Sequence, residues 1–313
     1  MKRVLLTGGL GNQLFQLAAA LFLSEGNNEK ILLDSSYGSP RRNKEELPEL
    51  TSFIIPDQVR YQSDLKYRFF AGKLINLSIR VSTTDKKNFL LPMVIQVIFN
   101  ILGYLRYHKL GRIFISSGVG FDDRLSKSAN KHFFVGYFQC FNWAENNNVF
   151  DQLMKIEMVS PGPQLLELKS LSIQELPLII HMRFGDYLNA PSFGVLDKSY
   201  YSNSIEKMMG KQAIRKIWLF SDDVDLAVRQ IPEAYRALLR VIPEVDNSTT
   251  ATFEAMRLGS AYIIANSTFS WWAAYLRHER LSPVIAPKPW FRGSISPTNL
   301  IPESWIQVDA WKL

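Results

Sequence analysis

Short apolar runs alternate with longer amphipathic stretches along most of the chain, a pattern that predicts strands and helices in turn. Residues 2–7 form a buried-strand pattern that runs into Gly8-Gly9-Leu10-Gly11-Asn12-Gln13. A helical run over 14–24 and a second strand over 29–34 follow. Strand, glycine turn, helix and strand together open a doubly wound sheet. Residues 38–60 are polar and turn-rich, 61–131 read as a mostly helical insertion, and 132–137 restore a strand. Residues 151–176 look helical, broken by Pro161 and Pro163. A second alternating region then places strands over 178–181, 217–220, 261–265 and 283–287. Its helices fall over 200–209, from Asp223, over 253–258 and over 268–276. The economical arrangement is two open α/β halves. The first domain covers 1–155 and carries the insertion 61–131; the second covers 156–313.

Composition narrows the class. The chain has 313 residues, 47% hydrophobic and 21% charged, enough apolar content for a real core, and it excludes disordered, collagen-like and coiled-coil chains. One cysteine, Cys140, cannot form an internal disulfide. The apolar patch Val4-Leu5-Leu6 is too short for a signal-peptide core. A cytoplasmic enzyme is the expectation. The net charge is +7, and its placement says more than its size. Residues 60–131 hold 13 Lys and Arg against four acids, so the whole excess lies there. Inside that segment residues 89–105 are strongly apolar and basic-flanked, yet short of the ~20 residues a spanning helix needs. Pro92, Gln96, Asn100 and Gly103 also interrupt them. Two readings stay open: a buried helix pair, or an apolar, basic-rimmed surface resting on the anionic inner face of a membrane. No RNA-binding motif or zinc-ligand spacing accompanies the charge, so a nucleic-acid partner is not expected.

Four stretches could carry chemistry. In the first, Gly9 and Gly11 sit where a strand hands over to a helix and let a ligand approach backbone N–H groups, with Asn12 and Gln13 adding side-chain amides. Leu14 stands where a dinucleotide fingerprint needs glycine, which argues against an oxidoreductase; the plainer reading is a tight turn. In the second, His181-Met-Arg183-Phe-Gly185-Asp186-Tyr187 follows a strand, at the edge where open α/β sheets bind ligands. The planar donor fork of Arg183 suits a diphosphate, with His181 or Asp186 orienting it. The plainer reading is a structural Arg183–Asp186 pair and a core histidine. In the third, Asp223-Val-Asp225 tempts a metal reading, but Ser221 or Asp222 capping a helix whose first turn is acidic is favoured; Asp222 is also a candidate ligand contact. In the fourth, Asn266-Ser267-Thr268-Phe269-Ser270-Trp271 joins a strand to a helix. Ser267, Thr268 and the helix amides offer an anion pocket, and Phe269 or Trp271 a face for a base or ribose. Here the plainer reading is an N-cap followed by aromatic core.

Taken in order, residues 8–16, His181 to Tyr187, Phe220-Ser-Asp-Asp223 and residues 264–276 resemble bacterial glycosyltransferase family 11, the α-1,2-fucosyltransferases. Residues 194–201 are similar to the family as well. Two positions depart from the pattern: Phe184 stands where many members have a second basic residue, and Leu258-Gly259-Ser260 replaces a polar stretch.

The resemblance implies a GT-B architecture, two Rossmann-like doubly wound domains facing a central cleft, with a GDP-sugar held mainly by the second and the acceptor by the first. It implies inverting transfer of L-fucose from GDP-β-L-fucose to the 2-hydroxyl of a galactoside in a bacterial surface glycan, with no metal or other cofactor. Arg183 would neutralise the leaving diphosphate, Asn12 would face the reaction centre, and Ser267, Thr268 and Phe269 would contact the nucleotide. The acceptor would be a galactose-containing oligosaccharide or a lipid-linked precursor. A transferase for a different GDP-6-deoxyhexose, or a non-catalytic membrane-associated glycan-binding protein, would share most of these motifs.

Overall fold

The computed structural model describes residues 1–25, 29–35, 48–62, 94, 97, 101, 113–116, 119–128, 130–293 and 296–311. The chain divides into two compact units, Met1–Glu157 with Pro297–Leu300, and Met158–Ser296 with Ile301–Leu313. The division falls two residues beyond the expected one, and a four-residue stretch near the C-terminus belongs with the first unit.

The first unit is built on five parallel strands in the order β4 (Val59–Gln62), β2 (Ile31–Asp34), β1 (Lys2–Leu5), β6 (Phe133–Val135) and β5 (Ile113–Ile115). Helix α1 (Leu10–Ser24) packs against β1 and β2. It buries 13 of its 15 residues, so it lies inside the unit rather than on it, and each large apolar side chain so covered contributes roughly 1.5–3 kcal/mol. Two short helices, α2 (Asn142–Glu145) and α3 (Asn147–Met154), follow β6. The short strands β3 (Phe53–Ile54) and β7 (Glu157–Met158) stand outside the large sheets.

The mostly helical insertion expected over 61–131 is corrected at two places. Tyr61 and Gln62 finish β4, and Ile113-Phe-Ile115 is a buried edge strand of the sheet. The basic residues just before Ile113 hide a three-residue apolar run too short to register as a strand by pattern. Of the apolar stretch 89–105, only Val94, Val97 and Ile101 are described; they are helical and about half exposed, at 51%, 51% and 53%. The choice between core and membrane surface for that stretch lies outside the described residues. Among those residues, no helix is long and apolar enough to cross a membrane.

The second unit holds six parallel strands in the order β10 (Leu239–Val241), β9 (Ile217–Ser221), β8 (Leu178–Met182), β11 (Ala261–Ile263), β12 (Val284–Lys288) and β13 (Ile306–Asp309). Chain order leaves β8 in one direction to β9 and β10 and returns to its other side for β11, β12 and β13. This is the 3-2-1-4-5-6 order of the doubly wound dinucleotide fold, and its switch point lies between β8 and β11. Five helices accompany it: α4 (Pro163–Glu175), α5 (Lys198–Met209), α6 (Val224–Gln230), α7 (Thr249–Met256) and α8 (Thr268–Tyr275). Leu178, Ile180 and Met182 point into one core with Tyr200, Tyr201, Ile205 and Met208 of α5.

Several helices begin earlier than expected, α1 at Leu10 rather than residue 14 and α5 at Lys198 rather than residue 200. Pro163 begins α4 instead of breaking it, because the first helical position has no N–H to lose. Helix α7 starts four residues early, where the Ser248 hydroxyl accepts the Ala251 N–H at 3.3 Å. Phe184, in place of a second basic residue, is buried in the core.

Candidate active site

In each unit the motif residues gather at the switch point of the unit's own sheet. In the first unit that point lies between β1 and β6. Gly8 turns there at φ +75, and a Cβ on it would stand 2.4 Å from Asn12 Nδ2, so glycine is required by both backbone and neighbour. Gln16 ties the two strand ends together inside the protein. Its Oε1 accepts Thr7 N–H at 2.9 Å after β1, and its Nε2 donates to Gly136 O at 3.1 Å after β6. Asn12 is half-buried, its Oδ1 accepting from Gln139 Nε2 at 2.9 Å.

Gln13, expected to meet a ligand, is turned to the fold. Its Nε2 donates to Gly8 O at 2.9 Å and to Glu49 Oε2 at 2.7 Å, and its Oε1 accepts Leu50 N–H at 3.0 Å. Both amide protons are taken, and Gln13 braces the turn. Gly11 is buried within α1, while Gly9 is exposed as its N-cap residue.

In the second unit, Arg183 leaves the carboxyl end of β8 between two carboxylates. Its Nε and Nη2 donate to Asp186 Oδ1 at 3.1 and 2.7 Å, and its Nη1 meets Asp222 Oδ2 at 2.9 Å. The Arg183 side chain stays 29% exposed. An oriented, partly exposed guanidinium suits the oxygens of a diphosphate. Asp222 is fixed in turn by the Phe184 N–H, at 2.8 Å to its Oδ1. Gly185 makes room for it, since a Cβ there would lie 2.5 Å from Asp222 Oδ2. Tyr187 lies beneath the guanidinium, 6.0 Å from ring centre to Cζ, and donates its hydroxyl to Asn266 O at 3.0 Å.

Two expectations are corrected around this group. Asp186 orients Arg183 as foreseen, but the second partner is Asp222 and not His181. The helix cap is Asp223, whose Oδ1 accepts Leu226 N–H at 3.0 Å, rather than Ser221 or Asp222. Ser221 instead exchanges hydrogen bonds with the backbone of Asp223. Among the described residues, no group of three or more His, Cys, Asp or Glu side chains is placed to hold a metal ion.

His181 is enclosed at the end of β8, 6.1 Å from the Phe269 ring, and its Nδ1 has no hydrogen-bond partner among the described residues. Burial, and then the Arg183 charge, pull its pKa from 6.5 to about 3, so it stays neutral through the physiological range. The lowered value means the unfolded chain binds a proton that the folded one refuses. Stability from this group is therefore intact above pH 6.5 and falls as pH drops towards 3, by about 1.4 kcal/mol per pH unit. Urea titrations at pH 7 and pH 5 should show a stability loss that is about 2 kcal/mol smaller in His181→Gln than in wild type. Equal losses in the two proteins would contradict a buried neutral imidazole.

Across the switch point, Ser267 caps α8 by accepting Phe269 N–H at 3.3 Å, and Thr268 and Phe269 are half-exposed at the helix start. Asn266 is buried. Its Nδ2 clamps Phe193 O and Gly194 O, both at 3.0 Å, while its Oδ1 has no partner among the described residues. Ser270 and Trp271, expected at the ligand, are fully buried instead. Ser270 returns its hydroxyl to Ser267 O at 3.2 Å, and Trp271 stacks on Tyr275 at 4.7 Å. One turn of helix rotates these two positions into the core, as the aromatic-core reading has it, while Thr268 and Phe269 stay partly exposed at the helix start.

Pattern reasoning overlooked Gln139 and Glu49 in the first unit. No local signal marks either one; only the folded chain brings them to Asn12 and Gln13.

A doubly wound sheet with an oriented arginine and a capped helix start at its switch point is an arrangement suited to an anionic ligand. Residues 121–294 match Glycosyl transferase family 11, and the chain belongs to that family of glycosyltransferases. It is 27% identical over 330 residues to the O-antigen biosynthesis glycosyltransferase WbnK of Escherichia coli, covering 97% of this chain and 99% of that one. It is 24% identical over 318 residues to an alpha-1,2-colitosyltransferase of Escherichia coli, covering 97% of each. Among solved structures it is similar to the fucosyltransferase NodZ from Bradyrhizobium, with TM-score 0.47 and 13% identity over 88% of this chain and 92% of that one. It is also similar to POFUT1 in complex with GDP-fucose, with TM-score 0.47 and 12% identity over 95% and 97%. At these scores the structural likeness says nothing about the site.

Proposed function

We propose that this glycosyltransferase moves L-fucose from GDP-β-L-fucose to the 2-hydroxyl of a galactoside in a bacterial surface glycan, with inversion and without a metal. The observation that carries the reading is Arg183, fixed by Asp186 and Asp222 and still partly exposed at the sheet's switch point. Breaking a sugar–diphosphate bond places growing negative charge on the leaving phosphate, and fixed cations and helix starts can offset it where they are already oriented. Arg183 and the Ser267–Thr268 start of α8 supply both within one unit. Asn12 holds the acceptor hydroxyl or the sugar ring, and the first unit takes the acceptor. The GT-B arrangement of two domains about a cleft belongs to this same reading.

An α-1,2 linkage and an O-antigen role are named for the two relatives in Escherichia coli, and both suit a surface-glycan acceptor with terminal galactose, free or lipid-linked. One of those relatives transfers colitose by name, which keeps a second donor in view: a different deoxyhexose on GDP. Mass-spectrometric transfer assays separate the two, using GDP-fucose and other GDP-sugars, a panel of galactosides, and parallel reactions with EDTA. The expected product is a galactoside heavier by one deoxyhexose, formed equally with the chelator present. Turnover abolished by EDTA, or no GDP-sugar used at all, would overturn the reading.

A further inference from the structure

We propose that Gln139 is a sugar-binding residue of the first unit: its Oε1 accepts a hydrogen bond from a ring hydroxyl, while its Nε2 sets the orientation of Asn12. This rests on the sugar-transfer reading above and extends it to a residue that no motif supplied. Gln139 is 6% exposed, and its Oε1 is buried with no hydrogen-bond partner among the described residues. Buried amide oxygens are normally paired, so one left without a partner asks for an explanation, and an absent ligand hydroxyl supplies one. The other end of the same amide donates to Asn12 Oδ1 at 2.9 Å. That bond orients the Asn12 amide with Nδ2 towards the Gly8 turn.

The backbone around Gln139 is shaped for this placement. Phe138, a bulky and fully buried residue, is held at φ 52 in the left-handed region. Gln139 N–H donates to Val119 O at 2.7 Å, and Cys140 N–H turns back to Phe138 O at 2.7 Å. Gly136 sits so close to its neighbours that a Cβ would lie 2.7 Å from Ser116 Cβ and 2.9 Å from the Phe138 ring. Strained backbone of this kind persists where surrounding structure over-determines it, and it clusters at ligand sites. The turn lies at the carboxyl end of β6, opposite the glycine turn after β1, and Gln16 bonds the two together. A carboxylate, Glu49, stands on the other side of the glycine pair, with Oε1 3.9 Å from where a Gly9 Cβ would be.

Gln139→Met removes both polar ends, and Gln139→Glu keeps an accepting oxygen but loses the donor to Asn12. Initial rates are measured for both variants, varying acceptor at saturating GDP-sugar and then the reverse. The expected result for Gln139→Met is a KM raised about tenfold for the substrate whose hydroxyl is bound, with the other KM within twofold. Gln139→Glu should recover most of that KM while kcat stays low, because Asn12 is left unset. A change confined to the acceptor assigns the hydroxyl to the galactoside; a change confined to the donor assigns it to the transferred sugar. A retained thermal shift with GDP shows that the variants fold. Calorimetric binding of methyl galactoside and of GDP-fucose to wild type and Gln139→Met reads the residue without turnover, so failure of the transfer reading and failure of this one are separable. Unchanged KM and unchanged binding in a folded Gln139→Met protein would overturn the proposal.

Discussion

Replacing Arg183 with lysine is expected to lower kcat for GDP-sugar transfer by about 10²- to 10³-fold, the loss seen when one oriented donor to developing charge is removed. The charge survives this change but the fork does not. An ammonium is a point charge and cannot reproduce the planar fork's contacts to both Asp186 and Asp222 while also reaching a diphosphate. The site would then expose one uncompensated carboxylate towards an incoming diphosphate. Alanine is the poorer probe, since it leaves Asp186 and Asp222 without their shared cation and risks the fold around β8. Steady-state kinetics on Arg183→Lys, with thermal unfolding as the check on folding, decide the matter. Activity within threefold of wild type would remove Arg183 from the chemistry.

The parts of this site that could be read from sequence are those whose signal is local. The glycine turn after β1 and the Ser-Thr start of α8 show themselves because a strand pattern ends, small or capping residues follow, and a helical pattern begins. The carboxyl end of β8 was legible for the same reason, as was Asp186, three residues from Arg183. What escaped was set by the folded chain. Asp222 reaches Arg183 because β8 and β9 are neighbours, with His181 level with Phe220. Gln139 reaches Asn12 across 127 residues of sequence. Strand β13 was missed because it is a four-residue edge strand with one face in solvent, and β10 because its three residues carry Arg240, whose Nη2 bonds Glu175 on α4 at 2.6 Å. Ser270 and Trp271 were misplaced because a motif names residues but not the helix face they occupy.

Glu254→Ala is expected to destabilise the second unit by about 3–5 kcal/mol although Glu254 touches no candidate ligand residue. Glu254 and Arg257 form an ion pair at 2.7 Å with side chains 6% and 3% exposed. Removing the carboxylate leaves a cation enclosed without its counter-charge, which costs far more than the pair itself contributes. The pair also joins the elements that carry the site. Arg257 Nε donates to Leu276 O at 2.7 Å at the end of α8, and its carbonyl accepts the Tyr262 hydroxyl at 2.8 Å from β11. The turn between α7 and β11 has no slack to absorb a shift, because a Cβ at Gly259 would lie 2.3 Å from Ile179 of β8. Urea titration of Glu254→Ala measures the loss. Replacing both partners together, Glu254→Leu with Arg257→Met, should recover most of it, since packed apolar side chains can stand in for a buried pair. If the single variant were as stable as wild type, the other partners of Arg257, Leu276 O among them, would suffice to hold its charge without Glu254.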